Sequence, residues 1–308
     1  MKTLTKKAFE EIKTWIYRNA RPLEFALWKY HFENGSKDDV LEQLARYQNK
    51  DGGFGNIIEP DNWNPESSPY VTSYAIEILR QIHFDDFLHD IYQGIFRYLE
   101  ATPYQGEDGW FFSIPQNDLY PHAIWWTYDE EGNKQQGIGT TATLSGFILR
   151  YADSNSNLYH KAMNYTKMLF EKLKSDENLG DMGLLGFCDL YKDLIETEVG
   201  KEFDLTFLEV QTKTLLKKHF HEYVWSNHQD MATVIPNPSI YYYTDYEKEV
   251  SDALDELIDL RINGGVWPLP WEWYDDGKYV KEFAISKNWW GSIKAIEKLL
   301  FLRAFGRL

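Results

Sequence analysis

The feature that most constrains the fold is a repeated pattern of helix, glycine turn, aromatic residue and second helix. The first copy covers residues 41–82, with LEQLARYQNKDGGFG, a polar loop and SPYVTSYAIEILRQI. Apolar residues recur at helical spacing on both sides of the Asp51-Gly52-Gly53 turn, where glycine tolerates the positive φ that ends a helix. Thr72 or Ser73 is the expected N-cap of the second helix.

Two further copies make this pattern a repeat. YQGIFRYLEATPYQGEDGWFF occupies residues 92–112 and ALDELIDLRINGGVW occupies residues 253–267, and each leads to a predicted helix, at 139–152 and 288–305. The second interval between turns is close to three times the first, which predicts degenerate units between them. Periods of this size are typical of arrays of helix pairs. The predicted fold class is therefore all-α.

The repeats also carry a family resemblance. QNKDGGFG (48–55) and NGGVW (263–267) resemble the Gln/Gly/Trp repeat turns of the terpenoid cyclase and protein prenyltransferase α/α toroid superfamily. PHAIWW (121–126), WPLPWEW (267–273) and the ending LRAFGRL are similar to a bacterial prenyltransferase-like branch of that superfamily. The resemblance implies an α/α toroid, a barrel of helix pairs with long loops at one end, whose aromatic-lined central cavity binds an isoprenoid or other apolar ligand. No linker rich in Pro, Ser or Gly interrupts the chain, so we expect one toroid domain over residues 1–308.

The charge balance bears on the partner. The chain has 48 acidic and 32 basic residues, a formal net charge of −16. This charge argues against nucleic acid or an anionic membrane surface as a partner, because both would be repelled. A polyanion such as a diphosphate would need a metal or a local basic cluster to bind. The expected partner is a small molecule that is apolar or sugar-like.

Cysteine content and hydropathy indicate the compartment. The single cysteine, Cys188, excludes an internal disulfide and suits a reducing environment. The beginning MKTLTKKAFEEIKTWIY lacks the apolar core of a signal peptide, and no apolar run reaches the roughly 20 residues of a membrane span. We therefore expect a soluble cytoplasmic protein without membrane insertion.

The loop after the first turn, NIIEPDNWNPESSP, contains Glu59, Asp61 and Trp63. In a toroid this loop would lie at the mouth of the cavity, where Trp63 is a candidate ligand contact. Two carboxylates two residues apart suit acid/base catalysis or metal binding. The alternative is a solvated turn in which Asp61 acts as a cap.

The loop over residues 113–139 is the longest irregular stretch and brings together His122, Trp125 and Trp126. Histidine is suited to proton transfer near neutral pH. The two tryptophans can hold an apolar chain, a sugar face or a developing cation. The alternative is a local core plugged by the tryptophans, in which His122 hydrogen-bonds a backbone carbonyl.

A second tryptophan cluster follows the third turn, where Trp267, Trp271 and Trp273 flank Glu272. The neighbouring prolines keep this segment extended. If the three turns lie at one end of a toroid, this cluster and the loop of His122 face the same cavity. All four residues are therefore candidate ligand contacts.

Metal and cofactor signals are weak. The aspartates of FDDFLHD (84–90) deviate by one residue from an aspartate-rich magnesium motif and are better explained by helix capping. Cys188 lacks the Asp-x-Cys spacing of the prenyltransferase zinc site. For His219, His221 and His228 we expect structural or surface roles. The sequence predicts no metal site and identifies no cofactor.

Three functional hypotheses follow. The first is a terpenoid-cyclase/prenyltransferase-like protein, although the Asp-x-Asp-Asp motif of the cyclases is absent; for catalysis, Glu59, Asp61 and His122 are the candidate proton-transfer groups. The second is a carbohydrate-active (α/α) barrel enzyme, a glycosidase or lyase, in which Glu59 or Asp61 would pair with Glu272. The third is a non-catalytic binding or scaffold protein.

Overall fold

The computed structural model describes residues 1–175, 179–180, 182–222 and 231–308, and its regular structure is almost entirely helical. The helices in the first half are α1 (Lys6–Asn19), α2 (Pro22–Phe32), α3 (Lys37–Ala45), α4 (Pro69–Gln81), α5 (Asp90–Ala101) and α6 (Glu130–Tyr151). Those in the second half are α7 (Asn157–Lys174), α8 (Gly183–Leu194), α9 (Leu205–Glu222), α10 (Met231–Val234), α11 (Glu247–Leu260) and α12 (Val280–Ala304). This content confirms the all-α prediction.

Short elements complete the described part of the chain. Strands β1 (Gln105–Gly106) and β2 (Gly109–Trp110) form an antiparallel hairpin that carries the second glycine turn. The 3₁₀ turns lie at Pro115–Leu119, Ile124–Trp126, Val199–Glu202 and Tyr243–Asp245. Two of these turns occupy the predicted irregular loop over residues 113–139.

The chain divides into two compact units. We call Met1–Gln43 with Lys218–Leu308 the terminal unit and Leu44–Lys217 the central unit. The single toroid domain over residues 1–308 stays a prediction.

The two turns of the central unit require glycine at their central position. Gly52 and Gly109 adopt φ values of +96° and +116°. A Cβ on Gly52 would also lie 2.1 Å from the carbonyl oxygen of Gly94 in α5. The side chain of Gln48 also holds this turn close to α5, because its Nε2 donates to the carbonyl oxygens of Gly52 in the turn and Ile91 in α5, each at 2.9 Å. The turn sequence therefore determines where α5 packs.

The backbone of the aromatic residue after each of these turns is hydrogen-bonded to a threonine side chain of the next helix. The backbone N–H of Phe54 donates to Thr72 Oγ1 in α4 at 3.1 Å, and that of Trp110 donates to Thr141 Oγ1 in α6 at 2.9 Å. Both aromatic rings are buried. The two copies are thus repeats in contacts as well as in sequence.

Helices that alternate along the central unit are neighbours in space. Helix α4 contacts α6, α6 contacts α8, and α5 contacts α7. Glycines allow α6 and α8 to approach closely, since a Cβ on Gly186 would lie 2.3 Å from the carbonyl oxygen of Gly139. This alternation is what stacked helix pairs require.

In the terminal unit α12 contacts α1, α2 and α10. The third turn also has a glycine at positive φ, Gly264 at +74°. Its tryptophan, Trp267, donates from Nε1 to the carbonyl oxygen of Leu257 in α11 at 2.6 Å. Trp110 makes the equivalent bond to Leu99 in α5 at 3.2 Å, so the third copy shares this anchor with the second.

Three predicted helix starts differ from the structure. Helix α12 begins at Val280 rather than at residue 288. Helix α6 begins at Glu130 rather than at residue 139, with the side chain of Asp129 as its N-cap. Few apolar residues mark this first part of the helix, so its periodicity is faint. Helix α4 begins at Pro69 and is capped by Ser68, whose Oγ accepts from the backbone N–H of Val71. The prediction of Thr72 or Ser73 as that cap was wrong.

Within the described residues, no helix combines the length and apolar character needed to cross a membrane.

Candidate functional site

Backbone hydrogen bonds join two of the predicted site loops in the central unit. The N–H of Trp63 donates to the carbonyl oxygen of Pro121 at 2.9 Å, and the N–H of Ala123 donates to that of Asp61 at 2.8 Å. The loop of Glu59 and Asp61 is therefore paired with the loop that precedes Trp125 and Trp126.

Three buried asparagines strengthen this pairing. The Nδ2 atoms of Asn62 and Asn64 donate to Oδ1 of Asn117, at 3.1 and 2.9 Å. Asn117 Nδ2 in turn donates to the carbonyl oxygen of Trp126 at 3.0 Å. Leaving one of these groups unpaired inside the protein would cost about 1–3 kcal/mol, so the network holds both loops in one geometry.

His122 is buried and its ring is oriented by the backbone. Its Nδ1 lies 2.6 Å from the carbonyl oxygen of Tyr120, which only accepts, so Nδ1 carries the proton. Its Nε2 lies 3.3 Å from Thr127 Oγ1 and 3.8 Å from a carboxylate oxygen of Asp118. The backbone contact is the one expected for a local core. A proton added to Nε2 would have the carboxylate of Asp118 as its counter-ion.

Glu59 and Asp61 are both buried, with exposed fractions of 5% and 1%. Burial of its phenol group, together with the carboxylates of Glu59 and Asp61, raises the pKa of Tyr70 well above its ordinary value. These two carboxylates therefore belong to the interior of the central unit, and the solvated-turn alternative does not describe them.

The tryptophans of these loops take different positions. Trp126 is buried and packs against the rings of both Phe112 and Tyr70, with a centroid distance of 4.7 Å to each. Trp125 is 37% exposed, and Trp63 is half-buried with its Nε1 donating to the carbonyl oxygen of Pro60 at 3.1 Å. Trp126 thus fills a local core, and Trp125 is the ring available to a ligand from solvent.

The second predicted cluster lies in the terminal unit. Trp267 and Trp273 are buried, and Glu272 is exposed. Trp271 is half-buried and packs edge-to-face on Trp290 of α12, with ring centroids 5.4 Å apart. Because this cluster and the loop of His122 belong to different units, the shared cavity and the pairing of Glu59 or Asp61 with Glu272 stay predictions.

A pocket of about 330 Å³ opens beside the third glycine turn in the terminal unit. Three tryptophans from distant parts of the chain line it, namely Trp15 in α1, Trp267 after the turn and Trp290 in α12. Gly291 makes room for this wall, since a Cβ there would lie 2.6 Å from the ring of Trp15. Ligand pockets typically measure about 300–1,000 Å³, so this one suits a small ligand.

Lysines surround the aromatic wall. The Nζ of Lys298, a buried residue, lies 5.6 Å from the ring centroid of Trp267, and that of Lys294 lies 5.7 Å from that of Trp290. Lys294 lines the pocket together with Lys287, one turn of α12 on either side of Trp290. The pocket is therefore apolar in its walls and positive at its edge.

The central unit also contains a buried ion network that no sequence pattern predicted. Arg80 in α4 pairs with Asp193 in α8, at 2.5 Å, and with Glu77 at 2.7 Å. Arg150 in α6 approaches the other carboxylate oxygen of Asp193 at 3.3 Å. Asp193 is 1% exposed, so this network joins three helices inside the unit.

Asp189 lies at the side of this network, one turn before Asp193. Thr143 of α6 donates to its Oδ2 at 3.2 Å, and Arg80 is 4.0 Å away. Burial and the nearby Glu77 raise the pKa of Asp189 to about 7, although Arg80 opposes the change. This carboxyl group consequently exchanges its proton near neutral pH.

Among the described residues no group of three or more His, Cys, Asp and Glu side chains is placed to hold a metal ion. Cys188 is buried and, as the single cysteine of the sequence, forms no disulfide within the chain. The side chains of His221 and His228 lie outside the described part of the chain.

Comparisons with known proteins add no relative. No protein-family model matches the chain, and neither the curated proteins nor the solved structures contain a match. The resemblance to the α/α toroid superfamily therefore continues to depend on the repeat turns.

The structure thus pairs two predicted loops in the central unit and, separately, forms a pocket in the terminal unit. Trp15, Trp290 and Lys287 line the pocket and were not predicted. The NWWGSIK segment gave a signal for Trp290, since a tryptophan next to a helical glycine is typical of close packing. Helical spacing puts Trp15 on the apolar side of the first helix with Ile12 and Ile16, but no motif marks it or Lys287 as a pocket residue.

Proposed function

We propose that this protein is a terpenoid-cyclase/prenyltransferase-like protein that binds an isoprenoid or other apolar small molecule against tryptophan rings. The observation that carries the proposal is the pocket of about 330 Å³ lined by Trp15, Trp267 and Trp290. Large flat rings bury much apolar area at a low entropic cost, and so suit an unsaturated or cyclic hydrocarbon body.

The helix arrangement is consistent with this proposal. The alternation of α4, α6 and α8 as neighbours is the one that an α/α toroid would have. The equivalent threonine contacts after the first two turns support a repeat of helix pairs. A toroid remains part of the proposal, as does the assignment of Glu59, Asp61 and His122 to proton transfer if the ligand is also turned over.

A ligand screen tests the proposal. Isoprenoid alcohols such as geraniol and farnesol, and neutral and acidic oligosaccharides, are compared by thermal shift and calorimetry, because a ligand that binds only the folded state raises the melting temperature. We expect binding of an isoprenoid alcohol and none of the sugars. Sugar binding alone would favour the carbohydrate hypothesis, and binding of neither class would refute the proposal.

A matched pair of variants assigns binding to the pocket. Ala284 is exposed at the pocket edge, so Ala284→Phe should fill the pocket without removing a core contact. Ile285 is 44% exposed on the same helix and does not line the pocket, so Ile285→Phe is the control. Isoprenoid binding should be lost in the first variant and kept in the second.

A further inference from the structure

The lining of the tryptophan pocket differs in charge from the rest of the chain. Lys287 and Lys294 line it, and none of the described lining residues is Asp or Glu, although the chain has 48 acidic residues and a net charge of −16. A ligand that enters therefore meets positive charge at the edge of an apolar wall. This pattern favours a ligand with a negative group, because an apolar neutral ligand gains nothing from it.

The two lysines are not equivalent. The Nζ of Lys294 lies 2.8 Å from Oε2 of Glu297, so its charge is compensated. Lys287 makes no ion pair with any residue in the described ranges, and its Nζ stands 5.9 Å from the ring centroid of Phe283. Among the described residues, Lys287 is therefore the lining lysine whose positive charge has no ion-pair partner.

Trp290, one of the lining residues, also carries a hydrogen-bond donor to which the described residues supply no acceptor. Trp290 is 8% exposed, and its Nε1–H has no hydrogen-bond partner within the described residues. An indole N–H can only donate, and a buried donor gains free energy when an acceptor reaches it. Lys287, Trp290 and Lys294 follow one another at helical spacing on α12, so the charge and the donor share a face.

Building on the proposed function, we propose that the ligand of this pocket is a monoanion with an apolar body lying against the tryptophans and one carboxylate near Lys287. A carboxylate accepts hydrogen bonds from both an ammonium group and an indole N–H. A diphosphate carries several charges, and Lys287 alone would leave most of them unpaired.

Geranic acid and geraniol provide the test, because they share one carbon skeleton and differ in charge. By calorimetry at low salt, geranic acid should bind about fivefold more tightly, the gain expected of one solvent-accessible ion pair. The advantage should shrink at high salt. It should vanish in Lys287→Met and persist in Lys281→Met, since Lys281 is exposed on the same helix and does not line the pocket.

The outcomes separate this inference from the proposed function. Equal binding of geraniol and geranic acid, or an advantage that survives Lys287→Met, would refute the monoanion and leave the apolar pocket standing. Geranyl diphosphate binding more tightly than geranic acid would also refute it. Failure of geraniol, farnesol and geranic acid alike to bind, or binding unaffected by Ala284→Phe, would refute the proposed function itself. Equal melting temperatures of the two lysine variants establish that both are folded.

Discussion

Replacing Asp189 by asparagine is expected to flatten the dependence of folding stability on pH. Burial and the neighbouring Glu77 raise the pKa of Asp189 from 3.8 to about 7. The folded protein therefore keeps this proton to a higher pH than the unfolded chain does. The resulting contribution to stability is complete below a pH of about 4 and is lost as the pH rises through about 7. Asparagine cannot titrate, so this loss disappears.

The size of the effect follows from the pKa. A rise of about three pKa units corresponds to about 4 kcal/mol in the free energy of unfolding. The side chain of Asp189 is 26% exposed, and solvent screens part of its charge. We therefore expect the free energy of unfolding of Asp189→Asn, relative to that of the parent protein, to increase by about 2–3 kcal/mol from acidic to mildly basic pH. Thr143 can still donate to the amide oxygen, so the packing is preserved.

Urea unfolding followed by circular dichroism, at pH values from about 4 to about 8, measures this difference. Asp85→Asn is the control, because it makes the same chemical change at an exposed aspartate of the same unit. Stability curves of Asp189→Asn and the parent that stay parallel over this range would refute the raised pKa. A variant less stable than the parent at the basic end would refute the cost assigned to burying the charge.

Three further predictions concern the central unit. Gly186→Ala places a Cβ 2.3 Å from a carbonyl oxygen of α6 and should destabilise the protein by about 2–3 kcal/mol in urea unfolding, whereas Gly106→Ala, whose Cβ meets its nearest atom at 3.8 Å, should be close to neutral. Equal effects of the two would contradict the close approach of α6 and α8. Thr141→Val leaves the buried N–H after the second turn without an acceptor and should cost about 1–3 kcal/mol, while Thr141→Ser should restore most of it; a neutral valine variant would show that the contact is dispensable. In any ligand turnover that the screen detects, His122→Ala and Glu59→Gln should abolish activity while thermal melting shows an intact fold; turnover that survives both would remove these residues from the proton-transfer role.

Local backbone chemistry explains which parts of the fold could be predicted. The positive φ of Gly52, Gly109 and Gly264 is a requirement of the turn itself, so glycine marks these places in the sequence. The apolar periodicity of the flanking helices is equally local, which is why the all-α class followed from the sequence. Helix starts were harder to predict: a run such as EEGNKQQ has little apolar periodicity, and the capping hydroxyl of Ser68 had several competitors nearby.

The candidate sites also combine features that the sequence determines with features that depend on tertiary packing. Trp267 stands in a motif next to a glycine turn, and the sequence alone determined that it belongs to a repeat. Only the tertiary structure placed Trp15 and Trp290 in one pocket with it, because this requires α1 and α12 to pack together from distant parts of the chain. Likewise, Arg80 meets Asp193 across 113 residues, and the pKa of Asp189 depends on that burial. The geometry of a turn depends on a few consecutive residues. A pocket and a shifted pKa depend on which helices pack together and exclude water.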